Sequence, residues 1–241
     1  MHNIIIRKSD ERGFFNHDWL KTYHTFSFSE YYDEQFMNYH SLMVINDDTI
    51  KPNTGFGLHP HKNMEIITYV LSGTLTHSDN LGNKEEIKAG CFQVMSAGTG
   101  IVHGEFNHGN VECHLLQMWI SPNRNGGEPY YKISKPNHFE RWALVASDDG
   151  IFDSVQIRQN AQVFAIDSGN LKETQLPSSK QQHFWLHLAS GSIKLGNLTL
   201  NAGDAIGFNN THFKQSEKAQ DFAKIEFLEQ SRVVLFALFP I

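Results

Sequence analysis

Residues 69–76 read Tyr69-Val70-Leu71-Ser72-Gly73-Thr74-Leu75-Thr76, and residues 186–194 read Leu186-His187-Leu188-Ala189-Ser190-Gly191-Ser192-Ile193-Lys194. Aligned on their Ser-Gly pairs, each is a β-rich run, a tight turn and a second β-rich run. A further echo follows. Glu86-Ile87-Lys88-Ala89-Gly90-Cys91-Phe92 corresponds to Leu198-Thr199-Leu200-Asn201-Ala202-Gly203-Asp204-Ala205. The two glycines lie 17 residues apart in the first copy and 12 in the second, so the second copy has the shorter loop. A repeat of strand, turn, strand, Ala-Gly turn and strand predicts two copies of one β-barrel.

The rest of the chain agrees with an all-β protein. Short apolar runs at Ser41–Ile45, Glu65–Leu71, Phe92–Met95, His114–Ile120, Val163–Ile166 and Phe184–Leu188 alternate with turn clusters such as Asn46-Asp47-Asp48 and Leu81-Gly82-Asn83. Helix signals are scarce. Residues 121–140 carry three prolines and the pair Gly126-Gly127 with no strand pattern, and read as a linker. The expected division is residues 1–132 and residues 133–241.

Composition narrows the function. The 241 residues carry a formal charge of −6, two cysteines and 14 histidines. An acidic balance argues against a nucleic-acid surface, which needs clustered Lys and Arg. Cys91 and Cys113 are too few for a disulfide framework or a Cys-rich zinc module and read as small buried apolar residues. No apolar run approaches the ~18 residues of a membrane span, and the N-terminus lacks a signal-peptide cleavage pattern. A cytoplasmic protein is expected, and a monomer, since two barrels in one chain cover a face that a single barrel would bury by pairing.

The histidines cluster in the first half. His59-Pro60-His61 places two imidazoles at i and i+2, on one face of a strand. Glu65 follows on the same parity, and His103-Gly104-Glu105 repeats the spacing with a carboxylate. Three imidazoles with Glu65 or Glu105 suit a first-row cation such as Fe²⁺, Mn²⁺, Ni²⁺, Cu²⁺ or Zn²⁺. Pro60 presets the backbone between the two imidazoles. Gly55, Gly57, Gly98 and Gly100 serve turns and close approaches beside the ligand strands. His24, His77, His108 and His114 stand outside these motifs, as ordinary histidines or as partners orienting the ligands. His183, His187 and His212, in the second copy, have no carboxylate at a matching place, so the second barrel is expected to bind no metal.

These motifs resemble those of the cupin fold, with departures: Asn53 stands for the leading glycine of the first motif, Gly73 comes one residue late, Ser96 replaces the proline of the second motif, and extra residues precede His103. The departures are themselves a pattern. Residues 55–73 and 95–107 closely resemble the pirin family, as do the flanking stretches His24-Thr25-Phe26-Ser27-Phe28, Val44-Ile45-Asn46-Asp47-Asp48 and Leu116-Gln117-Met118-Trp119-Ile120. The shorter second half is similar to the bacterial quercetinase-type branch.

The resemblance implies a bicupin of two jelly-roll β-barrels, with one iron held in the first by His59, His61, His103 and Glu105, and Glu65 left structural. It implies an oxidoreductase of the quercetin 2,3-dioxygenase type, which opens a flavonol with O₂ and releases carbon monoxide, with Glu105 taking the proton of the enolic hydroxyl. The expected partners are a small aromatic substrate and O₂. Phe26, Phe28, Met43, Phe56, Phe92, Met95 and Trp119 are candidate walls for a flat ring. Two other readings accompany it: an iron-bearing, redox-sensing regulator acting through a protein partner, and a cupin binder or isomerase that works without O₂.

Overall fold

The computed structural model describes residues 4–209 and 223–240. His212 lies outside the described residues. Among them there is no α-helix, hence none long and apolar enough to cross a membrane. Contacts divide the chain into two compact units, one of residues 12–135 and 155–159, the other of residues 1–11, 136–154 and 160–241.

The first strand, β1 (Ile5–Arg7), belongs to the second of these units. The first unit holds β2 (Gly13–Asn16), β3 (Leu20–His24), β4 (Leu42–Ile50), β5 (Thr54–His61), β6 (Glu65–Ser72), β7 (Thr74–Asp79), β8 (Lys84–Lys88), β9 (Phe92–Ser96), β10 (Ile101–Asn107), β11 (Cys113–Ile120) and β12 (Tyr130–Ser134). They form a seven-stranded sheet, β12-β9-β6-β11-β4-β3-β2, and a four-stranded sheet, β5-β10-β7-β8, with antiparallel pairing throughout. Leu20, Ile50, Val70, Leu75, Ile87 and Leu115 make one apolar cluster, and Ile66, Met95, Ala97 and Ile101 a smaller one. Each such side chain contributes on the order of 1.5–3 kcal/mol when fully buried.

Residues 121–140, strandless by sequence pattern, contain β12, which pairs with β9 from Tyr130↔Ser96 to Ser134↔Phe92. A five-residue strand between prolines has too little alternation to read alone; it forms because the edge of β9 offers backbone partners.

β14 (Val155–Gln156) falls in the first unit; the second holds β13 (Ala143–Ser147) and continues with β15 (Gln162–Asp167), β16 (Glu173–Gln175), β17 (His183–Ser190), β18 (Ser192–Leu195), β19 (Leu198–Asn201), β20 (Ala205–Asn209), β21 (Lys224–Phe227) and β22 (Arg232–Leu238). Its large sheet runs β1-β20-β17-β22-β15-β13 and its small one β16-β21-β18-β19. Strand for strand this is the first unit again: β17 matches β6, β22 matches β11, β15 matches β4, and β21 matches β10. The edge place that β12 takes beside β9 is taken beside β20 by β1. Gly73 and Gly191, the glycines of the sequence repeat, both sit at positive φ between paired strands (φ 75° and 89°), where a side chain would be strained.

Candidate metal centre

Strand β10 lies between β5 and β7, so its inward side chains meet both. His103 stands opposite His59 on β5 and Asp79 on β7, and Glu105 opposite Phe56 and His77. A register shift between His103 and Glu105 marks a bulge against β5, a device that re-aims side chains at sites. Pro60 is tolerated because β5 is an edge strand. At Gly55 a Cβ would come within 2.3 Å of the Glu105 carbonyl, so only glycine lets β5 approach β10 here.

The three imidazoles converge. Ring centroids are 4.5 Å apart for His59 and His103, 4.8 Å for His59 and His61, and 5.0 Å for His61 and His103. One nitrogen from each lies within 4.8 Å of the others. Burial, then the neighbouring His59, lowers His61 to about 4, and the same causes with His61 and His77 push His103 to about 2. Neutral rings with free lone pairs are what a cation requires. The tautomers point the same way. His59 Nδ1 lies 2.7 Å from the Gly57 carbonyl, to which it donates, leaving Nε2 bare. His103 Nε2 is buried and has no hydrogen-bond partner among the described residues. An orphaned buried nitrogen facing two further imidazoles fits a metal ion.

Glu105 is 1 % exposed. Gln117 Nε2 donates to its Oε2 at 2.7 Å, Thr68 donates to Oε1 at 3.3 Å, and Gln93 also donates to Oε1. Burial raises its pKa, opposed by the nearby His77 and His59. Its carboxylate forms a second donor group with His103 and His77. His77, one of the histidines outside the motifs, also joins the site, beside His103 and Glu105. Its Nε2 sits 3.0 Å from Asp79 Oδ2, its Nδ1 3.4 Å from His103 Nδ1, and its ring stacks on Tyr131 at 4.0 Å.

Glu65 stands elsewhere. The strand breaks between β5 and β6, with Asn63 at φ 52°, so parity does not carry over from His61. On β6, period-two alternation puts Glu65 on the face opposite Thr68. There it accepts from Ser96 at 2.7 Å.

Beside the imidazoles lies a cavity of about 440 Å³, bounded by His59, His61, Glu105 and Gln117 and by apolar walls at Trp19, Phe28, Phe56 and Trp119. Of the expected walls, Phe28, Phe56 and Trp119 line it; Phe26, Met43, Phe92 and Met95 do not. Phe92 instead stacks on Tyr69 at 4.0 Å. His24 lines the cavity too, whereas His114 pairs with Asp47 and the His108 ring lies tilted against Phe106. Cys113 is buried, its thiol pushed up to about 12 by burial, while Cys91 is only half-buried.

The described residues of the second unit carry none of this. Ile225 occupies the place of Glu105 and Leu195 that of His77, and both belong to its apolar core. Among the described residues, no group of three ligand donors forms there.

Comparison with known proteins agrees with the two-barrel architecture. The family model described as Pirin matches residues 6–120, and that described as Quercetinase C-terminal cupin domain matches residues 144–237. The chain is 41 % identical over 204 residues to quercetin 2,3-dioxygenase of Escherichia coli strain K12, covering 84 % of this chain and 88 % of that protein. It resembles the crystal structure of YhhW from Escherichia coli with a TM-score of 0.89 at 37 % identity, over 99 % of both chains. The bacterial pirin YhhW in complex with nickel(II) matches with a TM-score of 0.88 at 37 % identity, over 99 % of this chain and 100 % of that one.

Proposed function

Because the chain belongs to the pirin family, we propose that it is a metal-dependent dioxygenase of the quercetin 2,3-dioxygenase type, with His59, His61, His103 and Glu105 holding iron(II). The observation that carries this reading is the convergence of three imidazoles and a buried carboxylate on an aromatic-walled cavity. Its volume suits a small planar ligand. The donor set also accepts nickel, the ion in the similar YhhW complex.

A bound iron would acidify an enolic hydroxyl and mediate electron transfer between a closed-shell flavonol and triplet O₂. The chain's own residues do the rest. Glu105 takes the hydroxyl proton. Its Oε1 already accepts from Gln93 and Thr68, whereas Oε2 accepts from Gln117 alone, so the proton goes to Oε2. Phe28, Phe56 and Trp119 hold the flat rings and keep water out. Ring opening then releases carbon monoxide. The reading also holds residues 1–132 to be the metal-bearing cupin and residues 133–241 a cupin without metal, in a cytoplasmic monomer that binds no nucleic acid.

Metal content of Glu105→Gln against Glu65→Gln tests the ligand set. Loss of bound iron in the first and retention in the second is expected; the reverse would refute the assignment of Glu105.

A further inference from the structure

The register of the seven-stranded sheet aligns five polar residues, one from each of five adjacent strands. Gln93 pairs with Thr68, Thr68 with Gln117, Gln117 with Asn46, and Asn46 with His24. The row continues into a second tier at Asp48, paired with Thr22 on β3. Three of the five are spoken for: Gln93, Thr68 and Gln117 hold Glu105. The far end is not. Asn46 is 4 % exposed and Asp48 2 %, both line the cavity, and the oxygens Asn46 Oδ1 and Asp48 Oδ1 have no hydrogen-bond partner among the described residues. Buried acceptors left unmatched destabilise the fold.

The same molecule shows that the fold does not need them. In the second unit the equivalent row is Ile206, Leu186, Leu235, Phe164 and Leu144, in the same register, and Ile166 takes the place of Asp48. All belong to or pack on its apolar core. A polar row kept at a cost in one barrel and replaced by a dry core in the other points to a ligand.

We infer that Asn46 and Asp48 form a recognition subsite for the hydroxyl groups of the substrate, accepting hydrogen bonds from ring hydroxyls distant from the enol that faces the imidazoles. Asn46 Oδ1 is an acceptor, and so is Asp48 Oδ1 in the ionised carboxylate, so the ligand supplies donors. Trp19, Phe28 and Phe56 line the same cavity, so the donors sit on a flat apolar body. Neutral burial agrees: His24 is lowered to about 4 by burial and stays uncharged beside the subsite. The ligand class is a polyhydroxylated planar aromatic rather than a bare enol. The inference rests on the dioxygenase reading and deepens it.

The test is anaerobic binding of two probes to the metal-loaded protein, followed by fluorescence quenching. Quercetin carries ring hydroxyls; 3-hydroxyflavone keeps the enol and lacks them. Quercetin is expected to bind about tenfold more tightly, as two hydrogen bonds would give. In Asn46→Ala and in Asp48→Ile, the latter copying the second unit, the ratio of the two dissociation constants falls toward one while metal content holds. A wild-type ratio near one, with both probes bound, overturns the subsite alone. So does a ratio that survives in both variants. Failure of the wild type to bind either probe overturns the subsite together with the substrate reading.

Discussion

His77 Nε2 lies 3.0 Å from Asp79 Oδ2, with both side chains fully buried, and this contact decides the protonation of a ring two steps away. Asp79 is an acceptor, so His77 donates to it from Nε2, and as a neutral ring it presents Nδ1 as an acceptor. That nitrogen, 3.4 Å from His103 Nδ1, accepts the His103 proton. His103 Nε2 is thereby left as a lone pair, on the side where His59 and His61 converge. Two residues that the motif spacing does not include thus set the tautomer of a proposed ligand.

Replacing Asp79 by asparagine tests this chain. Asp79 Oδ1 accepts from the Leu81 and Asn83 amides, which an asparagine oxygen can still satisfy. Its amide nitrogen then faces His77 and reverses every donor in the series. Affinity for Ni²⁺, measured by calorimetry, should fall roughly 10–100-fold. Nitrogen NMR of the metal-free variant should show the His103 proton moved from Nδ1 to Nε2, a change that a loosened turn alone would not produce.

Asp48 predicts a pH dependence of stability in the metal-free protein. Burial pushes its carboxyl up to about 7, opposed by the Thr22 hydroxyl; Asp47 and Glu105 add to the rise and His114 opposes it. A carboxyl that binds its proton more tightly when folded stabilises the fold at low pH and loses that contribution as pH rises from about 4 through 7. Asp48→Asn should therefore be more stable than wild type at pH 8, by up to a few kcal/mol, and the gap should close at pH 4. Urea unfolding at the two pH values measures it.

Leu186 makes the matching prediction for the second barrel. It is fully buried in the apolar row, where Thr68 stands in the first. Leu186→Ala should cost about 2–5 kcal/mol in denaturant unfolding, without altering the metal content of the protein.

The barrels and the imidazoles were legible because their signals are local. Gly73 and Gly191 repeat at turns that require positive φ, and His59, His61 and His103 sit in short motifs. What stayed hidden depends on register between distant segments. Gln93, Thr68, Gln117, Asn46 and His24 come from five separate strands, and each alone is an ordinary polar residue. His77 and Asp79 repeat the i, i+2 spacing, but only strand pairing brings His77 beside Glu105. Parity misled at Glu65, because a positive φ at Asn63 interrupts the strand between it and His61. The edge strands β1 and β12 are too short to show alternation.

Turnover of a flavonol by the imidazole cluster and Glu105 is read in carbon monoxide formed and O₂ consumed by the iron-loaded protein supplied with quercetin. The wild type should form one carbon monoxide per O₂, and His59→Ala and Glu105→Ala should lose both. Iron-loaded wild type that forms no carbon monoxide, or variants that turn over like wild type, would contradict it.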